Sequence, residues 1–258
     1  MKKPLILVVN DDGISAKGIR NLIKIMNTFG KVVVVAPDSP QSAKSHSITI
    51  EDTIRCNKVL IDEGPQIEYA CSGTPVDCVK LALNKLLDRK PDLCVSGINH
   101  GSNSSINVIY SGTMAAAVEA SLAGIPSIGF SLLDYDFDAD FSEAEQYIIK
   151  ITKQVLNHGL DNGVCLNVNI PKSIEGLRIK GMRVCRQANA NWEEEFEERF
   201  DPKGKVYYWL TGNFVNYDKG NDTDEWALAN HYVSLVPVQF DLTANSSLLS
   251  IKNLFADE

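Results

Sequence analysis

Apolar runs and helical-period segments alternate along the first two-thirds of the chain. Residues 5–9 and 32–36 are continuous apolar runs, the pattern of parallel strands buried on both faces. Between them Ile19, Leu22, Ile23, Met26 and Phe29 recur at helical spacing, with Ser15 as an N-cap and Gly30 as the stop. Thr74-Pro75 opens a second helix whose inner face is Val76, Val79, Leu83, Leu86 and Leu87. Residues 93–95 form a short strand. Ser111-Gly112-Thr113 starts an alanine-rich helix that ends near Gly124, and residues 128–130 form the next strand. Ser142 and Glu145 read as a capping box before Tyr147, Ile148, Ile151, Val155 and Leu156. Residues 164–170 close the series at Pro171. This order predicts an α/β fold, a three-layer domain whose mainly parallel sheet carries helices on both faces. Ligands of such sheets sit beyond the carboxyl ends of the strands.

After Pro171 the pattern changes. Residues 177–185, 205–210 and 232–238 have strand character, 192–199 are strongly acidic, and 212–224 read as a loop. The pattern divides the chain into a sheet domain at 1–185, a segment at 186–230 and a return to the domain at 231–258. The middle segment is either a solvated excursion or a projecting C-terminal β-hairpin. It holds Trp192, Phe196, Phe200, Tyr207, Tyr208, Trp209, Phe214 and Trp226. So many aromatics favour packing on a second subunit over folding back on their own domain.

Charge narrows the partners. The 258 residues carry a formal net charge of −8, which argues against a nucleic-acid polymer as partner. Six cysteines include no C-x-x-C pair, and a chain with this much apolar content needs no disulfides, so free structural thiols are expected. The apolar stretch at 114–133 contains Glu119 and is broken at Gly124-Ile125-Pro126, so no membrane span is expected, and the N-terminal run is too short for a signal segment. A cytoplasmic location follows as the expectation. Dinucleotide, P-loop and nucleophile-elbow glycine motifs are absent.

Three polar clusters follow three strands. Asn10-Asp11-Asp12-Gly13 comes first; its two carboxylates converge only if the chain turns at Gly13, and converging carboxylates repel unless a proton or a cation intervenes. Hard oxygen donors at that place suit Mg²⁺ or Mn²⁺, although an Asp-rich turn alone gives the same letters. The second cluster is Asp38 with Gln41 to Ser47, a loop of hydroxyls, one lysine and His46 that suits a phosphate, a metal or plain solvent. The third is Ser96 to Gly101 with Asn99 as a neutral oxygen donor, followed by Ser111 and Thr113 at a helix N-terminus that favours phosphate. Three such clusters at successive strand ends point to a metal-assisted phosphate site.

The runs LVVNDDGISAKGI, VVAPDSPQSAKSHSIT, CSGTPVDCVKLAL and PDLCVSGINHGSN with VIYSGTMAAAVEASLAGIPSIGFS resemble the SurE family of survival protein E nucleotidases. The resemblance implies a Rossmann-like catalytic domain at 1–185 and an extension that builds a homodimer or homotetramer. It implies a phosphomonoesterase that uses one divalent cation, Mg²⁺ or Mn²⁺, to hydrolyse nucleoside 5′- and 3′-monophosphates, and in some members short polyphosphate. The metal ligands it implies are Asp11, Asp12, Ser42 and Asn99. The active-site residues are Asp11, which orients or deprotonates water or else attacks phosphorus to form a phospho-aspartyl intermediate, Asn10 behind the metal, and Ser111 and Thr113 on the phosphate. The chain departs from the family at Ser39-Pro40-Gln41-Ser42-Ala43 and at His231 to Pro237, which bears on substrate preference and oligomer contacts. A noncatalytic nucleotide-binding sensor and a phosphatase for a non-nucleotide ester are the alternative readings.

Overall fold

A computed structural model describes residues 3–136 and 138–256. The chain runs β1 (Leu5–Val9), α1 (Lys17–Asn27), β2 (Lys31–Pro37), β3 (Cys56–Val59), β4 (Ile67–Cys71), α2 (Pro75–Leu81), β5 (Leu93–His100), α3 (Gly112–Leu122), β6 (Ser127–Leu132), α4 (Ser142–His158) and β7 (Val164–Ile170). It continues with β8 (Met182–Val184), β9 (Ala190–Phe200), β10 (Val206–Asn216), α5 (Asp224–Ala229), β11 (Val233–Gln239) and α6 (Leu248–Leu254). A nine-stranded sheet has the order β3-β4-β2-β1-β5-β6-β7-β11-β8, and β9 and β10 form a separate hairpin. Strands β4 to β7 in that order pair in parallel, while β3 and β11 run antiparallel to β4 and β7. This is the expected three-layer α/β architecture.

Alternation along the buried strands sorts the core into two layers. Ile6, Val8, Val32 and Val34 pack with Ile19, Leu22, Ile148 and Ile151 of α1 and α4. Leu5, Leu7, Val9, Val33 and Val35 face Val79 of α2 and Ala116 and Ala120 of α3. The direction in which successive strands are added reverses between the parallel neighbours β1 and β5, so their carboxyl ends form a crevice at the topological switch point. Among the described residues no helix is long and apolar enough to cross a membrane.

Several local expectations are corrected. Residues 39–73 hold two unanticipated strands, and their cysteines are not all free: Cys56 and Cys71 face each other across β3 and β4 and form a disulfide, with Cα atoms 4.2 Å apart. Cys78, Cys94, Cys165 and Cys185 are free and buried. The Ser142 capping box does not form. Ser142 is already helical, and Asp140 accepts its N–H and hydroxyl, both at 2.9 Å. Helix α1 starts at Lys17 after Ala16, without a side-chain cap from Ser15. Thr74, in contrast, forms a reciprocal capping box with Asp77. The segment after β8 projects as an eleven-pair antiparallel hairpin, and residues 212–216, expected in a loop, lie in β10.

Candidate functional site

The first strand delivers its carboxylates through a braced turn. Asn10 is fully buried and its side-chain amide donates to the Gly13 carbonyl at 2.8 Å, closing the turn over Asp11 and Asp12. Gly13 takes φ +96°, which side chains resist. The N–H of Ile14 bonds the Pro37 carbonyl and that of Gln41 bonds the Asp11 carbonyl, at 2.8 and 2.7 Å, so the loop after β2 is tied to the loop after β1. Asp11 is buried and Asp12 half-buried.

Helix α3 supplies the second wall. Ser111 is its N-cap and accepts the Met114 N–H at 3.0 Å. The buried Thr113 hydroxyl donates to Oδ1 of Asp11. A Cβ on Gly112 would lie 2.8 Å from the Asp11 Cβ and 3.0 Å from its Oδ2, so this helix end approaches the carboxylate only because residue 112 is glycine. Burial, and then the neighbouring Asp12, push the Asp11 carboxyl up to about 6 against the hydrogen bonds from Thr113. Burial also raises Asp12, opposed by the His100 N–H at 3.4 Å.

Strand β5 forms the third wall and runs past residue 95 to His100 with a register shift between Ser96 and Asn99. The Asn99 amide donates to the carbonyls of His100 and Gly101 at 3.2 and 2.9 Å, which leaves its oxygen as the donor atom for a ligand. The His100 ring meets Phe141 edge-on, with centroids 5.2 Å apart. Ser42 is exposed, one residue beyond the Gln41 N–H that holds Asp11. Its loop is pinned further on, where Ser45 donates from its N–H to Tyr110 O at 3.1 Å and from its hydroxyl to Ile109 O at 2.6 Å. The structure thus gathers Asn10, Asp11, Asp12, Asn99, Ser111 and Thr113 and brings the Ser42 loop to them. It places the His46 ring elsewhere: Nε2 is 2.9 Å from Glu119 Oε2, and Lys80 binds the other oxygen at 2.5 Å. His46 therefore latches the loop to α3 rather than facing the carboxylates.

Sequence reasoning missed two parts of the site. One is a buried polar brace beneath the loop at 102–105. Asn103 donates from its N–H to Asn169 and from its amide to Ser131, both at 2.8 Å, while Asn167 donates to Asn103 O at 2.7 Å. Asp224 accepts the N–H groups of Ser105 and Ala188 at 2.8 and 2.9 Å, which ties the root of the hairpin to the same loop. The run Asn167-Val168-Asn169 inside an apolar strand was the available signal. The other part is a cavity of about 490 Å³ beside Asp12 that Tyr135 and His100 help to line. A larger cavity of about 590 Å³ lies at the opposite end of the sheet, against Leu5, Lys31 and Ile67, where the strands begin. Open α/β sheets bind ligands at the carboxyl ends, so the smaller cavity is the one that serves the carboxylates.

Among the described residues no group of three or more His, Cys, Asp and Glu side chains is placed to hold a metal. The donor set is mixed: two carboxylates, an amide oxygen and a nearby hydroxyl. All are hard oxygen atoms, and the raised carboxyls mark negative charge that no ion pair among the described residues offsets. That chemistry fits a small divalent cation better than zinc.

The family model "Survival protein SurE" matches residues 6–194. A Flavobacterium psychrophilum protein named 5′-nucleotidase SurE is 64% identical over 253 residues, 98% of either chain. A protein of the same name from Christiangramia forsetii is 66% identical over 245 residues, covering 95% of this chain and 94% of its own. The crystal structure of the SurE protein from Aquifex aeolicus superposes with a TM-score of 0.83 at 38% identity, covering 97% of this chain and 99% of that one. With a family match across most of its length and relatives at this identity, the chain belongs to the SurE family.

Proposed function

We propose that the chain is a divalent-cation-dependent nucleotidase that hydrolyses nucleoside 5′- and 3′-monophosphates to nucleoside and phosphate, and that it also accepts short polyphosphate. The observation that carries this reading is the packing of the Asp11–Asp12 pair against the N-terminus of α3 at the β1/β5 crevice. A carboxylate pair alone repels a phosphate dianion. A helix N-terminus attracts one, and a cation makes the two compatible. The name shared by the close relatives supports the same substrate class.

Asp11, Asp12, Asn99 and Ser42 are the residues that would hold Mg²⁺ or Mn²⁺. When bound, the cation would neutralise phosphate charge and favour in-line attack by water. The remaining work falls to the chain. Asp11, fixed by Thr113, orients the attacking water and takes up its proton. The Gly112 N–H at the start of α3 receives a phosphate oxygen, the Thr113 and Met114 N–H groups being engaged by Asp11 and Ser111. Ser111 uses its oxygen lone pair for the Met114 N–H, so its own hydrogen is available to the substrate. Asn10 keeps the turn closed from behind. The β9–β10 hairpin is the surface through which the protein forms a homodimer or homotetramer.

Phosphate release from a panel of 5′- and 3′-nucleotides, sugar phosphates and tripolyphosphate, with Mn²⁺ or with EDTA, tests the reading. Release from nucleotides that EDTA abolishes is the expected result. Nucleotide binding without turnover would make the protein a sensor, and turnover of sugar phosphates alone would make it a different phosphatase.

A further inference from the structure

The cavity beside Asp12 has a wall with no structural purpose of its own. Its lining includes Asp12, Gly13, Ala16, Pro40, His100 and Tyr135. Tyr135 is 76% exposed and so contributes little to the core. Yet the ring is held in place. It lies on the backbone of Gly101, where a Cβ would come within 2.3 Å of Cε1, and its hydroxyl oxygen is 3.4 Å from the Ser102 N–H. Gly101 follows His100 directly, has φ +99°, and donates its N–H to the Leu132 carbonyl at 2.8 Å, so the platform under the ring is fixed to the sheet. A large aromatic ring that is seated and left bare in the cavity that Asp12 lines is arranged for a flat partner.

We propose that Tyr135 is the stacking platform for the nucleobase of the substrate, an inference that rests on the nucleotidase reading above. With the phosphate at the start of α3 and Asp11, the nucleoside extends past Asp12 and His100 into the cavity. There Ala16 and Pro40 add apolar surface and Tyr135 receives the face of the base. Every nucleobase has a π-face, so a stacking platform gives affinity for nucleosides as a class with little choice among bases. Such a residue contributes to binding equally in the ground and transition states, so it acts on KM and leaves kcat alone.

The test compares Tyr135→Ala and Tyr135→Phe with the wild type in the full chain, using AMP and CMP against glycerol 2-phosphate, which has no base. Calorimetry with adenosine, which has no phosphate, is run alongside. For Tyr135→Ala the expected result is a rise in KM of about tenfold or more for both nucleotides, the scale of losing one stacked base. Its kcat stays within about twofold and its kinetics on glycerol 2-phosphate are unchanged. Tyr135→Phe keeps the wild-type KM, and adenosine binding is lost only in the alanine variant. Equal losses on nucleotides and glycerol 2-phosphate, or unchanged KM with unchanged adenosine binding, overturn the proposal. A wild type that hydrolyses no phosphate ester would refute the nucleotidase reading instead, and adenosine binding in the two variants would still decide whether Tyr135 seats a base.

Discussion

The Thr113 hydroxyl donates to Oδ1 of Asp11 across 102 residues of sequence, joining the first turn of α3 to the end of β1. The bond fixes the carboxylate that the proposed reaction uses and is the only side-chain hydrogen bond described for that oxygen. Thr113→Val keeps the shape and removes the donor. A hydrogen bond to a charged group contributes about 1.5–3 kcal/mol, so kcat/KM should fall about 10- to 100-fold. Thr113→Ser should stay within a few-fold of wild type. Steady-state kinetics on AMP with thermal melting of each variant checks this; valine at wild-type activity would remove the bond from the mechanism.

Asp11 also sets a pH dependence in the cation-free protein. Its folded carboxyl lies at about 6 against an ordinary value of 3.8. An acid raised in the fold is held protonated there while the unfolded chain is already ionised. Its folding penalty is therefore absent below about pH 4, grows as pH rises to about 6, and is constant above. Two pKa units correspond to about 3 kcal/mol. In EDTA, Asp11→Asn should melt several degrees above wild type near pH 7.5 and level with it near pH 4, while its activity with Mn²⁺ falls below about a tenth of wild type. A melting difference independent of pH would show that Asp11 carries no such strain.

How much of this was legible depends on the kind of signal each part leaves. Residues 5–9 were read to their ends because a strand buried on both faces is a continuous apolar run. Thr74 was read because a cap followed by Pro75 is a local pattern. Asp11, Asp12 and Asn99 are legible as candidates because they follow apolar runs, where open α/β sheets bind ligands. Strand β3 was not, since Cys56-Asn57-Lys58-Val59 lies at the sheet edge with Asn57 and Lys58 exposed and no alternation to detect. The polar tail of β5 extends beyond the strand expected at residues 93–95, because Ser96, Asn99 and His100 carry polar side chains on strand backbone. Tyr135 left no signal at all: its role comes from lying on Gly101, a contact between two loops that no spacing encodes.

The cysteines give a direct count. Burial raises the thiols of Cys78, Cys94 and Cys185 and pushes Cys165 up to about 12, so none offers a reactive thiolate in the native protein. A chromogenic thiol reagent should find no fast-reacting group in the folded chain. In denaturant it should find the four free cysteines, and all six after reduction. Six in denaturant without reductant would mean that Cys56 and Cys71 are not bonded.

The hairpin makes the last prediction. In its antiparallel register Phe200 pairs with Val206, Glu198 with Tyr208, Phe196 with Leu210 and Trp192 with Phe214, so these side chains share one face. Only the root is seated on the domain: Trp192 meets Phe214 at 5.5 Å and donates from Nε1 to Asn107 at 2.8 Å. Further out, Phe196, Phe200, Tyr208 and Leu210 are each more than half exposed. Of the aromatics in this segment, Trp226 folds back, stacked on Tyr232 with Arg183 beside it. A two-stranded ribbon is marginal by itself in water, and a bare apolar stripe on one face supplies what a second sheet or helix would cover. The intact chain should therefore be at least a dimer at micromolar concentration. Replacing residues 193–213 by a short turn between Trp192 and Phe214 should lower its mass by light scattering, and Phe196→Glu should do so without touching the root. A monomeric intact chain would sink the idea. An oligomer that survives both changes would move the contact to α6 and its flank, where Leu249, Leu254 and Phe255 are also bare.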